Sequence, residues 1–133
     1  MALYAAFILF VGVPLMGFAC DIGRLRAAQA KLSVAAEAGC AAYANLVNAD
    51  VWSTGGNAEF NPNAQTAAMG AFYNTAPPGS TLFISPSHGA GDLLKAHCTA
   101  RTTIHPFIDL GLGDYSATVF ADAKADWVNG PFR

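Results

Sequence analysis

The sequence predicts an α+β fold, in which a long N-terminal helix packs on a small antiparallel β-sheet with one short extra helix. Helix-favouring sequence runs almost without interruption from Met1 to about Asn48. The last third of the chain instead alternates between apolar and polar residues, which is typical of half-buried strands. Alanines occupy most of its apolar positions, so we expect the long helix to lie close against this sheet.

The long helix begins with an apolar run. Every residue from Ala2 to Cys20 is apolar or nearly so, and Asp21 is the first charged residue. At about 1.5 Å of rise per residue, the run is long enough to cross the roughly 30 Å hydrocarbon layer of a bilayer. Such a run predicts either a membrane anchor or a helix in the core of a filament.

Proline and glycine interrupt this run. Pro14 removes a backbone hydrogen bond and is expected to kink or locally melt the helix. Because Gly12 and Gly17 flank it, we expect a soft spot over residues 12–17.

The chain is expected to divide near residue 25. Asp21 and Arg24 are spaced i, i+3, so an ion pair there would lower the cost of an acid at the edge of the apolar zone. Residues 1–25 are then the hydrophobic half of the helix, in a membrane or a filament core. Residues 26–133 form a small globular domain from the second half of the helix, a short helix and an antiparallel sheet.

Glycine and proline also delimit the middle of the chain. Gly55 and Gly56 end the first helix, and Asn61-Pro62 resembles an N-cap followed by proline at the first helical position. The remaining elements predicted in order are a helix to about Asn74, a turn at Pro77-Pro78-Gly79, a strand over Thr81–Ser85 and one helical turn at Asp92–Lys95.

Two longer strands follow, and they are expected to pair antiparallel with Thr81–Ser85 beside them. In the first, Cys98, Ala100, Thr102 and Ile104 share one face, opposite His97, Thr99, Arg101, Thr103 and His105. In the second, one face carries Tyr115, Ala117, Val119, Ala121, Ala123, Ala125 and Trp127.

Composition excludes some classes of function. Hydrophobic residues make up 53% of the 133 residues and charged residues 12%, with a formal net charge of -2. Lysine and arginine are scattered, so the chain lacks the basic stripe that nucleic-acid binding requires. We therefore expect no nucleic-acid partner.

The three cysteines allow one intrachain bridge. Cys20 and Cys40 lie about 30 Å apart along one helix, far beyond disulfide reach. Cys98 shares its strand face with the alanines that are expected to receive the helix. We therefore predict a Cys40–Cys98 disulfide, and the alternative is that both are buried free thiols.

No pattern in the sequence indicates catalysis. His88, His97 and His105, with Cys98 and Asp109 nearby, fit no zinc-ligand spacing. The glycine-rich pieces GAGD and GLGD lack the lysine of a phosphate-binding loop. We expect no enzyme activity, no metal site and no cofactor.

Large apolar residues recur along the first helix and are expected to line a membrane or filament core. They are Leu3, Phe7, Phe10, Pro14, Phe18, Ile22, Leu25 and Leu32. The apolar surface continues nearly all round the helix, and small residues such as Gly12 and Gly17 allow close helix approach. A single lipid-facing anchor is the alternative.

Residues 5–44 resemble the N-terminus of the TadE/TadG-like proteins of bacterial tight-adherence (Tad) pili. The matching positions are Pro14, Asp21, Gly23, Arg24, Leu25, Ala28, Gln29, Leu32, Ala35 and Ala36. The segment ARTTIHPFIDLGLGDYSATVFADAKA is similar to the closing hairpin of that family. The resemblance covers about the first forty-five and the last thirty residues.

The resemblance implies a pilin-like fold and a structural role. It implies a type IV pilin-like subunit that a prepilin peptidase cuts and that joins a filament or its assembly machinery. Ala5 stands where mature type IV pilins typically carry glutamate, if Met1 is the mature start, and the main Tad pilins are commonly much shorter. The chain is therefore expected to be a minor or accessory pilin, or the shaft subunit of an unusual pilus.

Charge placement suggests a processed precursor. The nearest basic residues, Arg24, Arg26 and Lys31, all follow the apolar run, which would place the globular part in the cytoplasm under the positive-inside rule. Removal of a basic leader resolves this conflict, so we expect Met1 to be a mature N-terminus.

Three hypotheses of function follow. The first is a structural pilin that polymerises through its apolar helix into an extracellular filament for surface attachment, with copies of itself as partners. It would wait in the bacterial inner membrane before assembly. The second is a single-pass accessory protein of a Tad-type apparatus, and the third is an anchored adhesin that binds ligand through Trp52, Trp127 and other aromatic residues.

Overall fold

The computed structural model describes residues 2–54, 62–88, 94–106 and 113–124, and the side chains of residues 2, 47–54, 87, 88, 94 and 124 are not described. In chain order the elements are α1 (Ala2–Phe7), a π-helix (Ile8–Gly12), α2 (Val13–Thr54), α3 (Pro62–Tyr73), β1 (Thr81–His88), β2 (Leu94–Ile104) and β3 (Tyr115–Lys124). The predicted α+β fold, with a long N-terminal helix, a short helix and an antiparallel sheet, is confirmed.

The N-terminal helix is continuous but contains one turn of different geometry. Residues Ile8–Gly12 form a π-helix, and α2 then runs through Pro14 to Thr54. A proline ring clashes with the carbonyl four residues earlier, which here belongs to Phe10. The distortion therefore lies before the proline, and the predicted soft spot over residues 12–17 was placed too late in the chain.

The sheet has the strand order β1-β2-β3, with β2 in the centre and both pairs antiparallel. The predicted alternation on β2 is confirmed, because Ala96, Cys98, Ala100 and Thr102 are buried whereas His97, Arg101 and Thr103 are exposed.

The strand β1 is longer than predicted. The helical turn predicted at Asp92–Lys95 is wrong at its end, because Leu94 and Lys95 begin β2. Asp92, Asn61, Ala125 and Trp127 lie outside the described residues.

A tight turn connects α3 to the sheet, as predicted from Pro77-Pro78-Gly79. The backbone N–H of Ser80 donates to the carbonyl of Pro77 at 3.3 Å, and its hydroxyl donates to the same oxygen at 2.6 Å. Gly79 has a φ of 78°. Proline followed by a left-handed glycine is the arrangement of a type II β-turn.

The core lies where the second half of α2 packs on α3, β2 and β3. Most of its members are small; the buried apolar residues are Leu32, Ala35, Ala36, Cys40, Tyr43, Ala44, Ala64, Ala68, Phe72, Leu82, Ala96, Cys98, Ala100, Ala117 and Ala121. Alanine on both sides of the interface lets the helix backbone approach the sheet closely. The predicted position of the helix against the alanine face of the sheet is therefore observed.

One glycine makes the contact between α2 and α3 possible. A Cβ atom added to Gly39 would lie 3.1 Å from the carbonyl oxygen of Ala68 and 3.2 Å from Cβ of Phe72. It would also lie 3.0 Å from Cδ2 of Leu82. These distances are shorter than ordinary van der Waals contacts, and the first neighbour is backbone, so a side chain at residue 39 would have to push α3 away by a few tenths of an ångström.

A disulfide joins α2 to the central strand. Cys40 and Cys98 are bonded, with 5.9 Å between their Cα atoms and a sequence separation of 58. The sulfur of Cys40 also lies 3.4 Å from the carbonyl oxygen of Ala96 and 3.6 Å from that of Ala121. The bridge is therefore enclosed between helix and sheet, in the middle of the core.

The close contact at Gly39 predicts opposite effects for two glycine substitutions. We expect Gly39→Ala to lower the free energy of unfolding by about 1–3 kcal/mol, because the added methyl group overpacks the contact with α3. Gly70→Ala should raise it by about 1 kcal/mol, since a Cβ at residue 70 meets nothing within 4 Å and alanine favours a helix. Urea denaturation of the full chain in detergent measures both, and equal effects would contradict the close-contact interpretation.

The disulfide predicts a large loss of stability when it is removed. A bridge that closes a loop of 58 residues restricts the unfolded chain, so the double variant Cys40→Ala/Cys98→Ala should lose about 4 kcal/mol. Cys20→Ala is the matched control, because Cys20 is exposed and unbonded, and its stability should equal that of the parent. A double variant within about 1 kcal/mol of the parent would refute the expectation.

Candidate functional site

The apolar half of the N-terminal helix is the most unusual surface of the described chain. Among the residues predicted to line a membrane or filament core, Leu3, Phe7, Phe10, Phe18 and Ile22 are exposed, whereas Pro14 and Leu25 are half-buried. Tyr4, Ile8, Leu9, Val13, Leu15 and Met16 are exposed as well. Apolar side chains therefore surround the helix on all sides, and nothing in the described chain covers them.

An apolar surface of this size needs to be shielded from water. Soluble monomers rarely expose contiguous apolar patches larger than a few hundred Å². Burying one large apolar side chain contributes about 1.5–3 kcal/mol, and Phe10 alone is 83% exposed. The helix from Leu3 to Leu46 is also long and apolar enough to cross a membrane, judged by length and composition. Lipid or neighbouring helices are the two environments that suit residues 3–18.

Asp21 and Arg24, which the sequence spacing predicts to form an ion pair, lie at the boundary of the apolar zone. Nη1 of Arg24 lies 3.9 Å from Oδ1 of Asp21, which is the outer limit of an ion pair. The Asp21 side chain is only 7% exposed, whereas that of Arg24 is 55% exposed. Since Arg24 is largely exposed, the pair adds little to stability, and its guanidinium keeps donors for another partner.

The other predicted site residues are Cys40, Cys98 and the histidines. The two cysteines form the core disulfide described above. On the outer face of the sheet, Nδ1 of His97 contacts Oδ1 of Asp122 on the neighbouring strand. Nδ1 of His105 lies 2.6 Å from Oδ1 of Asp114. Within the described residues, no group of three histidine, cysteine or acidic side chains is placed to hold a metal ion.

The expected aromatic ligand face is only partly visible. The side chain of Trp52 and all of Trp127 lie outside the described residues, as do the His88 side chain and Asp109. Phe83 and Phe120, which the sequence interpretation did not single out, are exposed on the outer face of the sheet. Their outward positions in the strand alternation were the available signal. They are paired with the same residue, Thr99, from its two sides.

Thr102 is a third residue that the sequence interpretation did not single out. Its side chain is 1% exposed on the core face of β2, and its hydroxyl has no hydrogen-bond partner among the described residues. An unsatisfied buried hydroxyl is costly, so it points to a missing partner or to a small loss of stability. Strand alternation placed it on the inner face, but no pattern in the sequence shows that a buried hydroxyl is unpaired.

Comparison with known proteins supports the resemblance seen in the sequence. Residues 1–46 match the family model described as "Putative Flp pilus-assembly TadE/G-like". No curated protein and no solved structure gives a significant match to the chain. The likeness of the C-terminal hairpin to this family stays a prediction, since it lies outside the matched range. The N-terminal helix, with its exposed apolar half and the boundary residues Asp21 and Arg24, is similar to that of TadE/G-like Flp pilus-assembly proteins, which suggests a structural role in Tad pilus assembly.

Proposed function

We propose that this protein is a structural pilin-like subunit of a Tad-type pilus. It polymerises through the apolar half of its N-terminal helix into an extracellular filament that serves surface attachment. The observation that carries the proposal is the apolar surface all round residues 3–18, beside a globular part that already has a core of its own. The similarity to a pilus-assembly family supports the same function.

An apolar surface on every side favours a bundle of helices over a single lipid-facing anchor. Small residues along the run let neighbouring helices approach closely, which drives helix association in apolar surroundings; they are Ala5, Ala6, Gly12, Gly17 and Ala19. In a filament, each copy covers the apolar surface of its neighbours. The helix would therefore serve in two environments, first the bilayer and then the filament core.

The π-helix before Pro14 is compatible with both environments. Proline leaves backbone groups of the preceding turn without their usual partner, and lipid offers no hydrogen bonds to them. A local π-turn or neighbouring protein segments can supply such bonds, so this turn can lie in the bilayer and in a filament core alike.

The proposal includes a route to the cell surface. The precursor resides in the bacterial inner membrane, a prepilin peptidase removes its leader, and the pilus assembly machinery adds the subunit to the filament. The chain serves as a structural subunit and not as an enzyme. Intact mass and N-terminal sequencing of the purified protein, compared with its gene, test the processing step; an uncut N-terminus would overturn it.

A charge placed in the apolar run predicts a loss of filaments. Phe10→Lys should reduce filament yield at least tenfold, because a lysine in the middle of an apolar helix costs about 2.5–3.5 kcal/mol. Phe120→Lys is the matched control: Phe120 is 79% exposed, close to the 83% of Phe10, but lies on the outer face of the sheet. Shearing of cells followed by negative-stain microscopy measures the yield, and normal filaments from Phe10→Lys would contradict the proposal.

A second variant separates a filament core from a plain membrane anchor. Ala19→Leu keeps the run apolar, so membrane insertion is preserved, but the larger side chain obstructs close helix approach. The pilin proposal predicts that this variant stays in the membrane fraction and yields fewer filaments. If the parent protein is itself recovered only in membranes after shearing, the single-pass accessory role replaces the pilin role. Binding of a glycan or surface by residues 26–133 alone would favour the adhesin role.

A further inference from the structure

A groove of about 530 Å³ lies beside α2, just beyond the end of the apolar run. We name it the boundary groove. Its walls are α2, the turn that follows α3, and the end of β2. The residues that matter for its chemistry are Arg24, Lys31, Thr102 and His105.

The groove lies at the depth of lipid headgroups if the apolar run spans a bilayer. Arg24 is about 6 Å and Lys31 about 16 Å beyond Cys20 along the helix axis. The headgroup region adds about 5–8 Å on each side of the hydrocarbon layer. The near end of the groove, at Arg24, therefore falls within the headgroup region. The side chain of Lys31 at the far end tilts toward the N-terminus of the helix, as helical side chains do, and its long stem carries the ammonium back toward the headgroups. This step rests on the membrane stage of the proposed function.

The charges of the groove favour an anion. Lys31 has no ion-pair partner among the described residues, and Arg24 keeps free donors because its contact with Asp21 is long. His105 is engaged by Asp114 through Nδ1. In the described part of the chain, Asp21 and Asp114 thus each contact a basic group, and the ammonium of Lys31 has no carboxylate to neutralise it.

The unpaired hydroxyl of Thr102 is an independent observation at the same place. Thr102 lines the groove and is almost completely buried, and its Oγ1 has no partner in the described part of the chain. A ligand oxygen is an acceptor that such a hydroxyl can donate to. Lysine and arginine beside a hydroxyl donor are groups that suit a phosphate.

We propose that the boundary groove binds the phosphate of an anionic phospholipid headgroup while the subunit waits in the membrane. Lys31 and Arg24 hold the phosphate, and the Thr102 hydroxyl donates to one of its oxygens. Bound lipid would fix the depth of the subunit in the bilayer, because the headgroup would contact both α2 and the end of β2.

The test uses the full chain in a nonionic detergent. Phosphatidylglycerol and phosphatidylcholine are added separately, and native mass spectrometry counts the protein–lipid complexes. Phosphatidylcholine carries the same phosphate beside a cationic group, so the basic groove should prefer phosphatidylglycerol. Lys31→Gln should weaken phosphatidylglycerol binding about fivefold. Arg26→Gln removes the same charge nearby, but Arg26 does not line the groove, so its binding should be unchanged.

A threonine variant tests the groove apart from its charge. Thr102→Val should weaken phosphatidylglycerol binding, yet raise the melting temperature of the lipid-free chain because the unpaired hydroxyl is gone. Thr118→Val is the matched control, since Thr118 is exposed on β3 and does not line the groove, and it should leave both lipid binding and the melting temperature unchanged. A merely structural role of Thr102 would change the melting temperature without changing lipid binding, and that result would overturn its part in the site.

Several results would overturn the lipid proposal. If phosphatidylglycerol and phosphatidylcholine bind equally, or if Arg26→Gln weakens phosphatidylglycerol binding as much as Lys31→Gln does, then general electrostatic attraction explains the binding and the groove is not a specific site. Inorganic phosphate that binds as tightly as the lipid would identify free phosphate as the ligand. Unchanged lipid binding by Lys31→Gln, together with loss of filaments, would make the groove a contact between subunits. Recovery of the parent chain only in membranes after shearing, with no filaments, would instead contradict the proposed function itself.

Discussion

The close packing of the second half of α2 on the sheet is the contact on which the rest of the fold depends. Alanines on both surfaces keep helix and strands near each other, and this distance lets Cys40 reach Cys98. α2 and α3 are also close at Gly39, where an added Cβ would make contacts shorter than usual with Ala68 and Phe72. In this core of mostly small residues, the disulfide and a few large buried side chains such as Leu32 and Phe72 both contribute to stability.

One continuous helix connects this core to a surface that the chain itself does not cover. Residues 32–44 of α2 pack on alanine and cysteine of the sheet, whereas Leu3, Phe7 and Phe10 lie exposed near the N-terminal end of the same continuous helix. Asp21 and Arg24 lie where the exposed apolar part of the helix meets the buried part, and the boundary groove begins at Arg24. One end of the helix is therefore stabilised by the core of the chain itself, whereas the other end needs an apolar environment that the described chain does not provide.

The order and type of the described elements could be predicted because hydrophobic periodicity is a local property. The inward face of β2 and the alanine row of β3 follow directly from alternation, and the Pro77–Ser80 turn follows from proline and glycine chemistry. The sequence predicted less well the features that depend on contacts with other residues, such as a proline ring or a neighbouring strand. The distortion at Ile8–Gly12 lies one turn before Pro14, because the ring acts on the preceding carbonyl. Leu94 and Lys95 join β2 because pairing with β1 outweighs local helix preference.

Three features can be read along the chain because each is a pattern of neighbouring residues: the apolar half of the helix, the charged boundary and the alanine-faced sheet. The close contact at Gly39 and the lack of a partner for the Thr102 hydroxyl in the described chain are visible only in three dimensions. The folded chain is also what brings Lys31, Thr102 and His105 to one groove. These properties depend on distances between residues far apart in sequence, and periodicity along the chain carries no information about such distances.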